Sequence, residues 1–170
     1  MARTNGMTRK GRRPLLLTTG AVALLIVVAS VGARAQTRQE HVHEMAHGVM
    51  PFDLAKTVHV FSMTESGGVE RVIVRDPADV DQLPLIRQHL QKEAQRFQLG
   101  DYSDPALLHG ARMAGIDELA RGARRIRVSY GELPDGARIV FKASDAHLVT
   151  AIHRWFGAQL SEHGADARAE

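Results

Sequence analysis

The chain has 170 residues, no cysteine, and 22 basic against 19 acidic residues, a formal net charge of +3. Six of the basic residues and no acidic one fall in residues 1–35, which leaves 16 against 19, a net charge of −3, for the other 135. The basic character belongs to one end, so it gives no argument for nucleic acid, and only two tyrosines and one tryptophan weaken that reading further. Without cysteine there is neither a disulfide framework nor a thiolate site, and a domain of this length must rest on one hydrophobic core.

Arg3, Arg9, Lys10, Arg12 and Arg13 form a basic head, an apolar run follows from Pro14 to Val31, and Gly32-Ala33-Arg34-Ala35 makes a small-x-small exit. These are the three parts of a secretory signal peptide over residues 1–35, with a mature start at Gln36 and a periplasmic or secreted location. Roughly 18 apolar residues also just span a bilayer, so an uncleaved anchor is the alternative, and membrane contact is then through this segment. Arg12-Arg13 before Pro14-Leu15-Leu16 fits a twin-arginine signal too, which implies export in the folded state.

Residues 36–56 are polar and rich in His and Met, with Pro51 interrupting them, and read as an N-terminal arm. Residues 57–170 read as a single α+β domain. Thr57–Met63 and Val69–Arg75 are dense in β-branched and aromatic residues, and Thr64-Glu65-Ser66-Gly67-Gly68 between them supplies glycine for a hairpin loop. Asp79 is placed to cap the next helix, whose face is Leu83, Ile86, Leu90, Ala94 and Phe97, with Gly100 as its stop. Asp104-Pro105 starts a short helix closed by Gly110, and Gly115–Arg121 a second, stopped by Gly122. Arg125–Tyr130 alternates, with Ile126, Val128 and Tyr130 on one side and Arg125 and Arg127 on the other. Leu133-Pro134-Asp135-Gly136 turns into a strand carrying Ala137, Ile139 and Phe141. Asp145 caps a last helix with Leu148, Ile152, Phe156 and Leu160 on its face, widened by Val149 and Trp155.

The ββα unit over 57–98 thus returns over 124–163, separated by short helices at 104–122. At an offset of 66, Ile73 meets Ile139, Asp79 meets Asp145, Ile86 meets Ile152 and Leu90 meets Phe156. The expected architecture is duplicated ββα units forming a four-stranded antiparallel sheet with helices packed on one face.

The densest chemical feature is His41-Val42-His43-Glu44-Met45-Ala46-His47-Gly48-Val49-Met50. Imidazoles and thioethers are neutral donors, and thioether ligands select soft Cu(I). An extended arm projects His41, His43, Met45 and His47 to one side; a helical one aligns His43, His47 and Met50. His59, beside Phe61 and Met63 on the first strand, can complete such a site or be a half-buried, hydrogen-bonded core histidine. His89, His153 and His163 read as helix residues bordering apolar faces, with His163 as a cation near a helix end. His109 reads as a helix C-terminal residue. Arg121, Arg124, Arg125 and Arg127 form the one basic concentration, suited to an anion or to solvent. There is no Gly-x-Ser-x-Gly elbow, no phosphate-cradling glycine loop and no His-Glu-x-x-His helix, so no catalytic residue is assigned.

His47-Gly48-Val49-Met50-Pro51-Phe52-Asp53-Leu54, Thr57-Val58-His59-Val60-Phe61 and Ala151–Leu160 resemble a group of small exported bacterial proteins of unassigned function. The likeness covers nearly all of Gln36–Ala167. Some of those relatives carry an aspartate carbamoyltransferase label, but this chain is too short for two α/β domains and lacks a Ser-Thr-Arg-Thr-type phosphate loop. The resemblance implies export and a single domain, and it transfers no catalytic residue. The functional expectation is an exported binding protein that holds copper first, zinc second, through His41, His43, Met45, His47, Met50 and His59. The alternative is a cofactor-free structural or protein-interaction domain of the envelope, using its sheet face or the Trp155–Phe156 region.

Overall fold

The computed structural model describes Met1 and residues 40–170, and Ala35–Glu170 form one compact unit. The signal segment and residues 36–39 of the arm lie outside the described residues. Five strands, β1 (Thr57–Thr64), β2 (Gly67–Val74), β3 (Ile126–Leu133), β4 (Gly136–Ala143) and β5 (Ala167–Ala169), form one sheet in the order β3-β4-β2-β1-β5. Among the described residues, five helices accompany them: α1 (residues 40–46), α2 (Leu83–Gln98), α3 (Ser103–His109), α4 (Ile116–Gly122) and α5 (Ala146–His163). The class is α+β, but the sheet is not four-stranded and antiparallel. Past α5, Gly164 at φ 56° turns the chain back, and β5 pairs in parallel with β1. Residues 167–169, Ala-Arg-Ala, carry no strand signal, so this strand is made by position and not by propensity.

Alternation decides which side of the sheet is covered. Phe61, Val72, Ile139 and Phe141 point to the side of α2 and α5 and are essentially inaccessible. Phe141 touches Phe97 of α2 as well as Trp155 and Phe156 of α5, so both long helices pack on the same face. Trp155 and Phe156 are each 0% exposed, which removes that region as a contact surface. Tyr102 stacks on Phe97 at 4.8 Å and meets Trp155 edge-on, extending the aromatic wall toward α3.

Several local expectations change. The first hairpin turns through Glu65-Ser66 alone, because Thr64 pairs with Gly67. Gly67 and Gly68 are strand residues, selected by crowding: a Cβ on Gly67 would sit 2.1 Å from the Phe141 carbonyl oxygen, and one on Gly68 would sit 2.5 Å from the Phe156 ring. Asp79 does not cap α2; a 3-10 turn, Val80–Gln82, intervenes, and Asp79 pairs with Lys56 at 3.0 Å. Asp101, not Asp104, receives the first amide of α3, while Asp104 pairs with Arg96 at 2.5 Å. Asp145 does cap α5, accepting from the His147 amide at 2.9 Å. Of the equivalences between the two ββα halves, Ile86, Ile152, Leu90 and Phe156 are all buried, whereas the two aspartates have different roles.

Residues 40–56 are not a solvated arm. Val42, Ala46, Met50, Phe52 and Leu54 are buried, since α1 turns one apolar stripe inward and the chain after it runs along the core. At the other end, α2 seals the edge of β3: the Gln98 side chain donates to Ile126 O at 3.1 Å and accepts from Val128 N at 2.9 Å. An edge whose backbone groups are so occupied is a poor template for another strand. Gly68→Ala tests the close seat of α5. It should destabilise the fold by about 1–3 kcal/mol through overpacking, read from the midpoint of denaturant unfolding with an unchanged slope.

Candidate functional site

Four elements send polar side chains inward at the spacing of their own apolar faces. On β1, His59 alternates with Thr57 and Phe61; on β2, Glu70 alternates with Val72 and Val74. On α2, His89, Glu93 and Phe97 follow at four-residue steps, and on α5 so do Trp155, Gln159 and His163. With Met50, Asp104 and His109, they line a cavity of about 40 Å³ between sheet and helices. One water needs about 10–15 Å³ of such space, so the cavity suits a few waters or one small ion.

The histidines form a chain. The His59 and His163 ring centres are 5.0 Å apart, and those of His163 and His109 are 4.9 Å apart. His109 Nδ1 lies 2.8 Å from Glu162 Oε2. Phe52 closes the near side, edge-on to His59 at 6.0 Å and to His89 at 5.5 Å. Both His59 ring nitrogens, Trp155 Nε1 and Gln159 Oε1 are buried without a hydrogen-bond partner among the described residues. Each such atom costs about 1–3 kcal/mol of desolvation, so this interior is not arranged for stability alone.

Burial keeps most of the site's titratable side chains uncharged. It drives His59 far below the usual imidazole range, helped by the field of His163, His89 and His109. His163 is pushed down to about 3 by burial and then by His109, and His89 to about 4, mainly by burial. The same desolvation raises the Glu70 carboxyl to about 8 and, with the nearby Asp104 charge, the Glu93 carboxyl to about 7. Glu93 stays raised although Arg96 lies 3.3 Å away, because Arg96 is already engaged by Asp101 at 2.9 Å and by Asp104. Burial pushes Asp104 up too, but the Arg96 guanidinium and the bond from Glu93 outweigh it and hold it ionised. A charged Arg96, with Asp101 at the surface and the ionised Asp104 at the cavity wall, thus borders the neutral His59, His89, His163, Glu70 and Glu93.

The residues singled out in the sequence separate into two places. His41, His43 and His47 are exposed on and just after α1, with the His43 and His47 rings 5.5 Å apart and His43 Nδ1 3.4 Å from Asp166 Oδ2. Met45 is half-buried against the core. Met50 and His59 line the cavity. Among the described residues, no three His, Asp or Glu side chains converge at metal-ligand spacing. His59 is neither half-buried nor hydrogen-bonded, and His163 is a buried neutral ring and not a cation at a helix end. His153 instead caps the first hairpin, its Nε2 donating toward Gly67 O at 2.8 Å and Thr64 O at 3.0 Å.

His89, His109, His163, Glu70 and Glu93 were not foreseen as a group. A signal existed: His89-Glu93-Phe97 and Trp155-Gln159-His163 continue apolar helix faces in polar residues at unbroken four-residue spacing. No protein-family model, curated protein or solved structure matches this chain. The site therefore has to be read from its own geometry.

The pH dependence of stability follows from these shifts. Glu70 and Glu93 bind protons more tightly folded than unfolded, so their contribution is complete below about 4.5 and is lost as pH rises through about 7 to about 8. The lowered histidines act oppositely, weakening the fold as pH falls below about 6.5. The thermal midpoint should therefore peak near pH 6.5. Replacing Glu70→Gln and Glu93→Gln should flatten the decline between about pH 6.5 and 8 and steepen the rise between about pH 4.5 and 6.5, while leaving the slope below about 4.5 as it was.

Proposed function

We propose that this chain is an exported binding protein whose ligand is a soft or borderline metal ion, copper before zinc, taken up at the histidine cavity. The observation that carries the reading is His59, fully buried with both ring nitrogens unpartnered and in ring contact with His163. Two imidazoles bound to one tetrahedral ion, with metal–nitrogen bonds of about 2.0–2.1 Å, have ring centres roughly 5 Å apart. The His59–His163 and His163–His109 separations, 5.0 and 4.9 Å, have that spacing. Binding would draw the three rings about one point, with the Met50 thioether as a soft fourth donor from the chain after α1. Glu162 would orient His109 from behind by holding its Nδ1, the usual relation of a carboxylate to a metal-bound histidine.

In this reading the exposed His41, His43 and His47, with Met45 beside them, form an outer collecting surface on and just after α1, the segment that leads into Met50. Export through the signal at residues 1–35 would carry the site out of the cytoplasm, and a chain without cysteine has no thiolate of its own to compete for a soft metal. Kinship with small exported bacterial proteins, and descent of the two ββα halves from one unit, belong to the same proposal.

The test is titration of Gln36–Glu170 with Cu(I), Cu(II) and Zn²⁺, beside His59→Phe and the triple variant His41→Ala/His43→Ala/His47→Ala. Stoichiometric binding should survive in the triple variant and weaken about 100-fold or more in His59→Phe. The reverse pattern would place the site on α1, and no stoichiometric binding by the parent protein would sink the metal reading. His59→Phe should also raise the stability of the metal-free protein by about 1 kcal/mol, since it removes two unpartnered buried nitrogens and keeps the ring shape.

A further inference from the structure

The face of the sheet turned away from the helices carries a different chemistry. Arg127 of β3 stands directly opposite Lys142 of β4, and Arg138 of β4 directly opposite Arg71 of β2. Arg168 of β5 continues the second row, since Val60 of β1 pairs with both Arg71 and Arg168. Like charges facing each other across strands are destabilising. Of these five cations only Arg71 has an ion-pair partner among the described residues, the C-terminal Glu170. The other four are exposed. Their placement is the more pointed because the chain beyond residue 35 is net acidic, with 19 acids against 16 bases. One like-charge pair with no ion-pair partner among the described residues, and a second in which only Arg71 has one, indicate a partner outside the protein.

The spacing says what kind. Lys142 and Arg138 are four residues apart on one strand, about 13 Å, and β4 and β5 are separated by three strand intervals, about 14 Å. That is too wide for one small anion and suits an array of negative charges on a plane. Between the rows, Val69 and Val140 face each other across β2 and β4, half-exposed. An apolar pair inside a cationic frame fits the boundary between lipid headgroups and acyl chains better than a fully hydrated polyanion. No helix among the described residues is long and apolar enough to cross a membrane, so contact would be through this surface.

We infer that the exposed cations of this face, Arg127, Arg138, Lys142 and Arg168, with the half-buried Arg71, dock the folded domain on an anionic phospholipid bilayer. The contact is electrostatic, each cation acting on the surface potential of the membrane, with Val69 and Val140 resting at the headgroup level. It is independent of the histidine cavity, which opens on the other side of the sheet.

Co-sedimentation of Gln36–Glu170 with vesicles tests this, because the compact unit begins at Ala35 and the apolar leader is then absent. Vesicles of phosphatidylcholine with about 30 per cent phosphatidylglycerol should bind the protein, pure phosphatidylcholine should not, and about 0.5 M NaCl should release it. Arg127→Gln/Lys142→Gln should weaken binding roughly 30-fold without lowering the thermal midpoint, as it relieves a like-charge pair. Absence of binding to the anionic vesicles, equal binding to both vesicle types, or undiminished binding by a folded variant would each overturn the inference. So would retention on soluble dextran sulfate that anionic vesicles fail to compete away, since the partner would then be a polymer and not a bilayer.

Discussion

The structure depends on keeping a polar seam uncharged inside an aromatic core. His59, Glu70, Glu93, His109 and His163 are all buried between the sheet and the helices. Ionising His59 together with His163, or Glu70 together with Glu93, would set like charges side by side and demand hydration that the aromatic wall of Phe97, Phe141 and Trp155 excludes. The neutral forms are therefore a condition of the fold. They also make the seam chemically useful, because a neutral imidazole has a lone pair to give and a cation does not. The same desolvation that weakens the fold keeps those lone pairs free.

The constraint reaches outward through geometry. For α5 to bring Trp155 and His163 down to the sheet, its Phe156 must sit against β2 where Gly68 leaves room. For α2 to present Glu93 without ionising it, Arg96 one turn on must be satisfied elsewhere, by Asp101 and Asp104 at the start of α3. α3 in turn places His109 beside Glu162. The charged cluster at the surface and the uncharged seam below it are thus one arrangement. Removing the acids around Arg96 would let the guanidinium compete for Glu93 and pull its proton off.

Much of the architecture was legible in local pattern. The hairpin strands were readable because β-branched and aromatic residues alternate there, and α2 and α5 because Ile86, Leu90 and Phe97, or Leu148, Ile152 and Phe156, recur at helical steps. What failed were features set by tertiary contact. β5 has no strand propensity and exists because the chain after Gly164 falls alongside β1. Gly67 and Gly68 looked like turn residues but answer to Phe141 and Phe156. Residues 40–56 looked like an arm because their histidines stand out in sequence. The buried Val42, Ala46, Met50, Phe52 and Leu54, interleaved with them, are what decide their place. The same holds for the site: the histidines adjacent in sequence, His41, His43 and His47, are exposed, while the seam is assembled from residues scattered from His59 to His163.

The two faces of the sheet separate two electrostatic environments that would interfere on one. A cation near the seam would lower the affinity of its lone pairs for a metal ion and favour ionisation of Glu70. A buried carboxylate beneath the opposite face would weaken its attraction for anions. Strand alternation keeps them apart at single-residue resolution: Glu70 and Arg71 are neighbours in sequence, yet one is raised and buried among aromatics while the other belongs to the cationic row. A shift of one residue in the register of β2 would exchange them, burying the guanidinium and exposing the carboxyl. The register is held by the eight cross-strand partners of β1 and by Gly68 under Phe156. The packing that seats α5 is therefore also what fixes which side of the sheet is neutral and which is charged.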